Sequence, residues 1–485
     1  MIVKKRTEQF FLYRHRLGLG YVLLAIIFFA LLSFLPSIAP GGLSQGEMDS
    51  AVLSSQLEPD FIAEGNIVNL PYYLLQKASL HIFGLSLFSI KLPSIIIAVM
   101  AGFFIILLLN RWFKNDVAII GSVLTTLSTA FLFLAGNGTP LIMYVFWLAL
   151  ILWQGSKIVG NDHVNPLLVI SFFLCVALSA YTPHLLYVAI TIGAAGLIHP
   201  HLRFALKQLS LWQLILSVTI FALALTPLVI GCVLKPENLQ TLLFMPNFSF
   251  SNFINNISNA FAPFFSFSIA YNSIFLAPLF GLATVVLVIT GVLASIGKMY
   301  TSRNIIVSLL VIYAIIIAGF NGDVAIAIII PIAILSAAGF ESIVEKWYSL
   351  FPENPYAHLF GIIPIVVITC MIIGSGLTHF VYGYHYVPSV SNNFSDDLPT
   401  IQEFIKTDTP LLVTEDNTNR DFYRLLGKYE HYIIIENTDN VDQYAAFSAD
   451  KSDNFALKQI ITSPKSRNSD RLYIYSKDTD NKGEE

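Results

Sequence analysis

Residues 41–57 read GGLSQGEMDSAVLSSQL and residues 70–94 read LPYYLLQKASLHIFGLSLFSIKLPS. They form the first long polar interruption in a chain that is otherwise a succession of apolar runs. The stretch sets carboxylates, lysines and a histidine beside segments long enough to cross a bilayer, which takes about 20 residues per helix. It reads as a loop at a membrane surface, and the rest of the chain reads as the scaffold around it.

Composition supports this. The chain has 55% hydrophobic and 12% charged residues, whereas soluble domains carry about 25% charge. The apolar runs are continuous rather than alternating, which argues against a β-barrel. The net charge of −4 is segregated by region, and no nucleic-acid partner is read from it. Cys175, Cys232 and Cys370 all fall in apolar runs and read as buried thiols, not as disulfides or a metal site.

Hydrophobic runs predict about 11 spans. They lie at roughly 17–38, 92–113, 116–135, 139–158, 166–182, 184–199, 212–233, 274–297, 303–320, 322–344 and 358–382. The first run follows the basic segment MIVKKRTEQFFLYRHR. It is long for a signal-peptide core and has no small-residue cleavage site after it, so it reads as a retained span. Basic residues in short loops orient the chain. Arg111, Lys114, Lys157, Arg203, Lys207, Lys298, Arg303 and Lys346 join the basic N-terminus on one side, which predicts a cytoplasmic N-terminus and an extracytoplasmic C-terminus.

Three segments then fall on the outer side: the loop of residues 39–91, a second loop of residues 234–272, and the tail of residues 392–485. The second loop is aromatic and nearly uncharged, which suits an interfacial or re-entrant segment. In the tail, LLV (411–413), YIIIE (432–436) and RLYIY (471–475) read as strands, with helical DLPTIQEFIK and NRDFYRLLGKY before and between them. The expected fold is an all-α polytopic membrane domain over residues 1–391 with a small extracytoplasmic α/β domain over residues 392–485.

The candidate chemistry sits in the first loop. Glu47 and Asp49 are two residues apart, about 200° around a helix, so one site cannot use both if the helix has begun. Ser44-Gln45-Gly46-Glu47 also fits a capping box, with Ser at the N-cap and Glu at the third helical position. Glu47 therefore has two open readings, general base or cap. Asn69 reads as an N-cap, with Pro71 in the first turn, where its missing N–H costs nothing. Tyr73, Lys77 and His81 share a helix face. That face is either a phosphate site built on Lys77 or a solvated surface. His184, after Pro183, is a substrate contact or a turn residue, and Asp323 a contact or the cap of a span.

Glu47, then Leu70-Pro71-Tyr72-Tyr73-Leu74, then Ile82-Phe83-Gly84, then Lys91-Leu92-Pro93-Ser94 follow one another over about 50 residues. This order resembles the GT-C superfamily of membrane glycosyltransferases, in particular family 39 and the lipid A aminoarabinose transferases. The resemblance implies transfer of a sugar from a polyprenyl-phosphate carrier, at the outer face, to a lipid, glycan or protein acceptor. It implies inversion with a carboxylate base, and makes Glu47 and Asp49 the catalytic candidates with Tyr72, Tyr73, Lys77, His81 and His184 as substrate contacts. Two positions depart from the family pattern. Gly46-Glu47 stands where it has Asp-Glu, and Val68-Asn69 where the aminoarabinose transferases have Glu-Lys.

No P-loop, metalloprotease His pair, Cys-pair metal site or nucleophile elbow occurs in the sequence. No cofactor is expected, and a divalent metal is suggested only by some relatives. An active transferase and a non-catalytic envelope scaffold or lipid-binding protein of the same fold both stand. A secondary transporter is disfavoured by the scarcity of intramembrane charge and of paired broken helices.

Overall fold

The computed structural model describes residues 16–477 apart from 160–164, 244–248, 266–269, 273–274, 298–299, 322–325, 351–354, 414–418, 439–440, 448–454 and 463–470. Asp323, Lys298 and the basic residues before Arg16 lie outside the described residues.

The molecule is a helical membrane protein with a small α/β tail. Among the described residues six helices are long and apolar enough to cross a membrane: Leu87–Trp112, Ile142–Val159, Leu211–Leu234, Ser302–Phe320, Ile326–Leu350 and Val366–Tyr386. Asn115–Thr126 and Thr129–Gly136 make a seventh only as a pair bent by 60°. The apolar helices Ala25–Pro36, Pro166–Ser179, Leu186–Ile198 and Leu282–Ile296 occupy the remaining predicted runs. By length and composition the count among the described residues is thus six or seven, against the roughly 11 runs read from the sequence. For the last three of these shorter helices the reason is geometric: 15 residues of helix rise only about 22 Å, short of a hydrocarbon core of about 30 Å, whereas Ala25–Pro36 is part of a 23-residue helix, Arg16–Ile38, of about 34 Å.

The main core lies among Leu87–Trp112, Thr129–Gly136, Ile142–Val159 and Ile329–Leu350. Leu211–Leu234 and Val366–Tyr386 are largely unburied within the protein, as expected of helices that face lipid. Leu282–Ile296 and Ile329–Leu350 cross where Gly291 meets Gly339, with each glycine's missing Cβ replaced by carbonyl oxygen, that of Leu335 and of Leu287 respectively. With lipid as solvent there is no hydrophobic drive between spans, so such close approach supplies the attraction. The second loop holds an amphipathic helix, Phe250–Phe265, anchored by Asn256 donating to the Gly319 carbonyl at 3.1 Å.

Among the described residues nine short strands are formed: β1 (Leu43–Ser44), β2 (Ala270–Asn272), β3 (Phe275–Ala277), β4 (Phe394–Ser395), β5 (Leu411–Leu412), β6 (Ile434–Ile435), β7 (Gln443–Ala446), β8 (Phe455–Thr462) and β9 (Arg471–Lys477). The tail sheet has the order β6-β5-β7-β9-β8, with β5 parallel to β6 and β7, and β9 antiparallel to β7 and β8. Helices Asp397–Phe404 and Arg420–Glu430 complete it.

The tail does not stand apart from the first loop. β1 pairs with β4, Leu43 opposite Ser395. Leu43, Met48, Leu80 and Leu85 of the loop share one core with Leu398, Ile401, Phe422 and Leu426 of the tail. Both backbone groups of Leu85 are satisfied by the tail: its N–H donates to Glu430 Oε1 at 3.1 Å and its carbonyl accepts from Gln402 at 2.7 Å.

The Gly291–Gly339 contact is testable. A single Gly291→Ala or Gly339→Ala change should cost at least the roughly 1–3 kcal/mol of an overpacked core, read as a lower thermal midpoint in detergent. Gly193→Ala, where a Cβ meets open space, is the control and should leave the midpoint in place.

Candidate functional site

The site is built on the start of helix Gln45–Ser55. Ser44 caps it with its side chain accepting from the Glu47 N–H, and Glu47 returns the favour, so the capping box read from the sequence is formed. Glu47 Oε2 accepts from the Ser44 N–H at 2.8 Å and from the Ser44 hydroxyl at 3.1 Å. Its other oxygen, Oε1, accepts the Gly138 N–H at 2.7 Å and lies 3.5 Å from the Lys91 ammonium. Lys91 in turn donates to the Gly42 carbonyl at 2.8 Å. Both side chains are at most 2% exposed. Each charge is thus paired and hydrogen-bonded, the condition for keeping it inside a protein.

A second layer of buried hydrogen bonds extends this. Ser50 donates to Gln76 Oε1 at 2.7 Å, and Gln76 Nε2 donates to the carbonyls of Ile90 and Gly138, each at 3.0 Å. The Tyr72 hydroxyl bonds Ser94 Oγ at 2.7 Å, and burial pushes this phenol's pKa up. Gly138 is pressed so close to the Ile90 carbonyl that a Cβ would lie 2.9 Å from its oxygen. These contacts fasten helices Gln45–Ser55 and Leu70–Phe83 to the turn at 137–139 and to the start of the Leu87–Trp112 span.

The other expected residues are placed differently. Asp49 is exposed and accepts from Gln45 Nε2 at 3.0 Å; it faces away from Glu47, as the helical period requires. Burial pushes the pKa of half-buried Tyr73 up to about 12, with Asn69 opposing and the charge of Asp49 adding to it. Asn69 occupies the cap position of helix Leu70–Phe83, but in a left-handed conformation (φ 55) with no side-chain cap bond. Its N–H donates to the Tyr181 carbonyl at 2.8 Å. Lys77 directs its ammonium at the Leu57 carbonyl. His81 is exposed, two turns from Tyr73. His184 is buried, left-handed (φ 62), and stacked on Phe320 at 6.4 Å. Burial lowers its pKa to about 4, which leaves the imidazole neutral near pH 7.

Asp49, Tyr73 and Asn69 therefore form a strip that runs into the turn holding Thr182 and His184. Gly46 is exposed beside Thr139, the nearest atom to its absent Cβ being Thr139 Cγ2 at 3.7 Å. Asn137 Oδ1, Thr139 Oγ1, Thr182 Oγ1 and His184 Nδ1 are buried acceptors or donors without a protein partner. Buried polar atoms are nearly always bonded, so these turns hold unused hydrogen-bonding capacity close to the strip. Among the described residues no group of three or more His, Cys, Asp or Glu is placed to hold a metal.

Gln76 and Gly138 are not singled out by the sequence, and Lys91 stands there only as part of the Lys91-Leu92-Pro93-Ser94 run, with no partner assigned. Lys91 was counted among the basic residues of the loop, whereas it is buried in the first turns of a span. The available signal was a lysine inside an apolar run, which needs a partner.

The bundle, the first loop with its three helices and the α/β tail together make up a fold already seen in solved structures. Two solved structures share it: ArnT from Cupriavidus metallidurans bound to undecaprenyl phosphate (TM-score 0.53) and the same protein in the apo state (TM-score 0.52). Each is 12% identical to this chain, over 94% of it and 98% of the ArnT chain. At that identity the likeness is one of fold. No family model matches the chain, and no curated protein matches it.

The buried pair makes a sharp prediction. Glu47→Gln or Lys91→Met alone should cost about 3–5 kcal/mol by stranding the other charge. The double variant should lose clearly less than the sum of the two. Denaturant unfolding in detergent measures this, and additive losses would show that the pair is not coupled.

Proposed function

We propose that the protein is a glycosyltransferase of the membrane that takes a sugar from a polyprenyl-phosphate carrier at the extracytoplasmic face, with its N-terminus cytoplasmic. The observation that carries the reading is the fold likeness to a structure holding undecaprenyl phosphate, along nearly the whole chain. In the transfer, a base removes the proton of an acceptor hydroxyl, and that oxygen forms the new bond to the anomeric carbon. The bond from that carbon to the carrier phosphate breaks from the opposite side, and polyprenyl phosphate leaves with the electron pair.

Asp49 is our candidate base, because it is exposed while both oxygens of Glu47 are engaged within the fold. Lys77 is the candidate phosphate contact. An ammonium has three protons, and the Leu57 carbonyl takes one. Tyr73, His81 and His184 are candidate contacts to sugar or carrier, whereas the Tyr72 hydroxyl is already bonded to Ser94. The acceptor is a lipid, glycan or protein hydroxyl. Gly46 favours a second reading, a non-catalytic lipid-binding protein of the same fold, since it puts no carboxylate beside Thr139.

The test uses purified protein in nanodiscs and undecaprenyl phosphate. The wild type should bind it, with affinity falling about tenfold in Lys77→Ala, the loss of roughly 1.5 kcal/mol expected of one charged hydrogen bond. A carrier-linked sugar should be turned over, and Asp49→Asn should lower the rate about 100-fold or more, the usual share of a general base. Gly46→Asp, whose Cβ would meet Thr139 Cγ2 only at an ordinary contact distance of 3.7 Å, should fold normally and raise turnover. Carrier binding with no turnover in any variant would select the non-catalytic reading. A wild type that binds no carrier would contradict both.

A further inference from the structure

A cavity of about 430 Å³ lies at the other end of the bundle, lined by the C-terminal turns of Leu87–Trp112 and Ile142–Val159 and the start of Ser302–Phe320. Arg111 is about 30 Å along its helix from Lys91, at 1.5 Å per residue, so the cavity is remote from the loop. Its interior is apolar, with Ile151, Phe172 and Leu310 among its walls, and Arg111, Ser302 and Arg303 belong to its lining. Pro166–Ser179 and Leu186–Ile198 complete its wall, through Phe172 and Ile192 among others.

The cations are not neutralised by the fold. Arg111 is exposed. Arg303 donates to the Trp112 carbonyl at 3.2 Å and to Asn304 Oδ1 at 3.3 Å, and its guanidinium lies 4.6 Å from the centre of the Phe113 ring. A guanidinium has five N–H groups, so these two bonds leave others for a ligand. Glu341 attracts Arg303 electrostatically, which leaves Arg111 as the freer charge. The volume falls in the range of about 300–1,000 Å³ of small-molecule sites. An apolar chamber with a cationic edge at a membrane surface matches one chemistry, an acyl chain ending in a phosphate.

We infer that this cavity binds an anionic phospholipid of the leaflet opposite the first loop, with an acyl chain among Ile151, Phe172 and Leu310 and the phosphate against Arg111 and Arg303. The inference needs the membrane fold and is independent of the transfer reaction. A lipid held there props the short helices apart and fixes the end of the bundle that carries no transfer chemistry.

The test places the full chain in phosphatidylcholine nanodiscs containing phosphatidylglycerol and counts retained lipids by native mass spectrometry. The wild type should retain phosphatidylglycerol over phosphatidylcholine. Arg111→Ala, at an exposed side chain, should weaken retention about fivefold, the share of one basic group at a membrane surface. Ile151→Trp, which fills the chamber, should also weaken it, and each variant's thermal midpoint reports whether it folds. Equal retention of the two lipids, or unchanged retention in Arg111→Ala, would overturn the inference. So would displacement by inorganic phosphate alone, which would assign the cations to a free anion.

Discussion

A carboxylate and an ammonium buried together hold three separate segments of this molecule in place. Glu47, with Gly42 just before it, belongs to the start of the first loop, Lys91 to the start of a span, and Gly138 to the turn between two others. Two charges removed from water gain nothing by default; they are tolerated because each has hydrogen bonds beyond its partner. The consequence is specificity of position. The loop cannot slide or rotate on the bundle without stranding a charge, and the tail follows because β4 pairs with β1. The unit opposite the bundle is therefore loop and tail together, with one core.

That division of labour bears on function. The carboxylate of Glu47 is held on both oxygens, by Ser44 on one and by Gly138 and Lys91 on the other. The same helix turns Asp49 outward toward Tyr73 and leaves Gly46 open beside Thr139. Unbonded polar atoms at Asn137, Thr139, Thr182 and His184 gather in the adjoining turns. Both oxygens of Glu47 are engaged within the fold, whereas Asp49 is exposed, and the proposed base rests on that difference.

Much of the fold was legible because spans are written in length and apolarity, and each predicted run has a helix or a bent pair in its place. The short helices were less so, since hydropathy does not reveal that Pro166–Ser179 and Leu186–Ile198 are only 14 and 13 residues long. In the tail, Leu411–Leu412, Ile434–Ile435 and Arg471–Lys477 were visible as apolar runs. β8 was not: it is an edge strand whose central residues Leu457, Lys458, Gln459 and Ile460 are all exposed, so it carries no alternation to read. In the site, the capping box was legible because its spacing is local. The partners of Glu47 beyond the box come from residues 91 and 138, and no local pattern announces a contact across that distance. Asn69 has the right residue for a cap, but its left-handed backbone turns the side chain away from that use.

The claim that Glu47 is structural while Asp49 is available can be tested directly by carboxylate footprinting. The folded protein in nanodiscs is treated with a carbodiimide and an amine, and modification at each acidic residue is read by peptide mass spectrometry. The account predicts rapid modification at Asp49 and essentially none at Glu47 until the protein is unfolded. Equal labelling of Glu47 and Asp49 in the folded state would contradict it, and would return Glu47 to the reacting side of the loop.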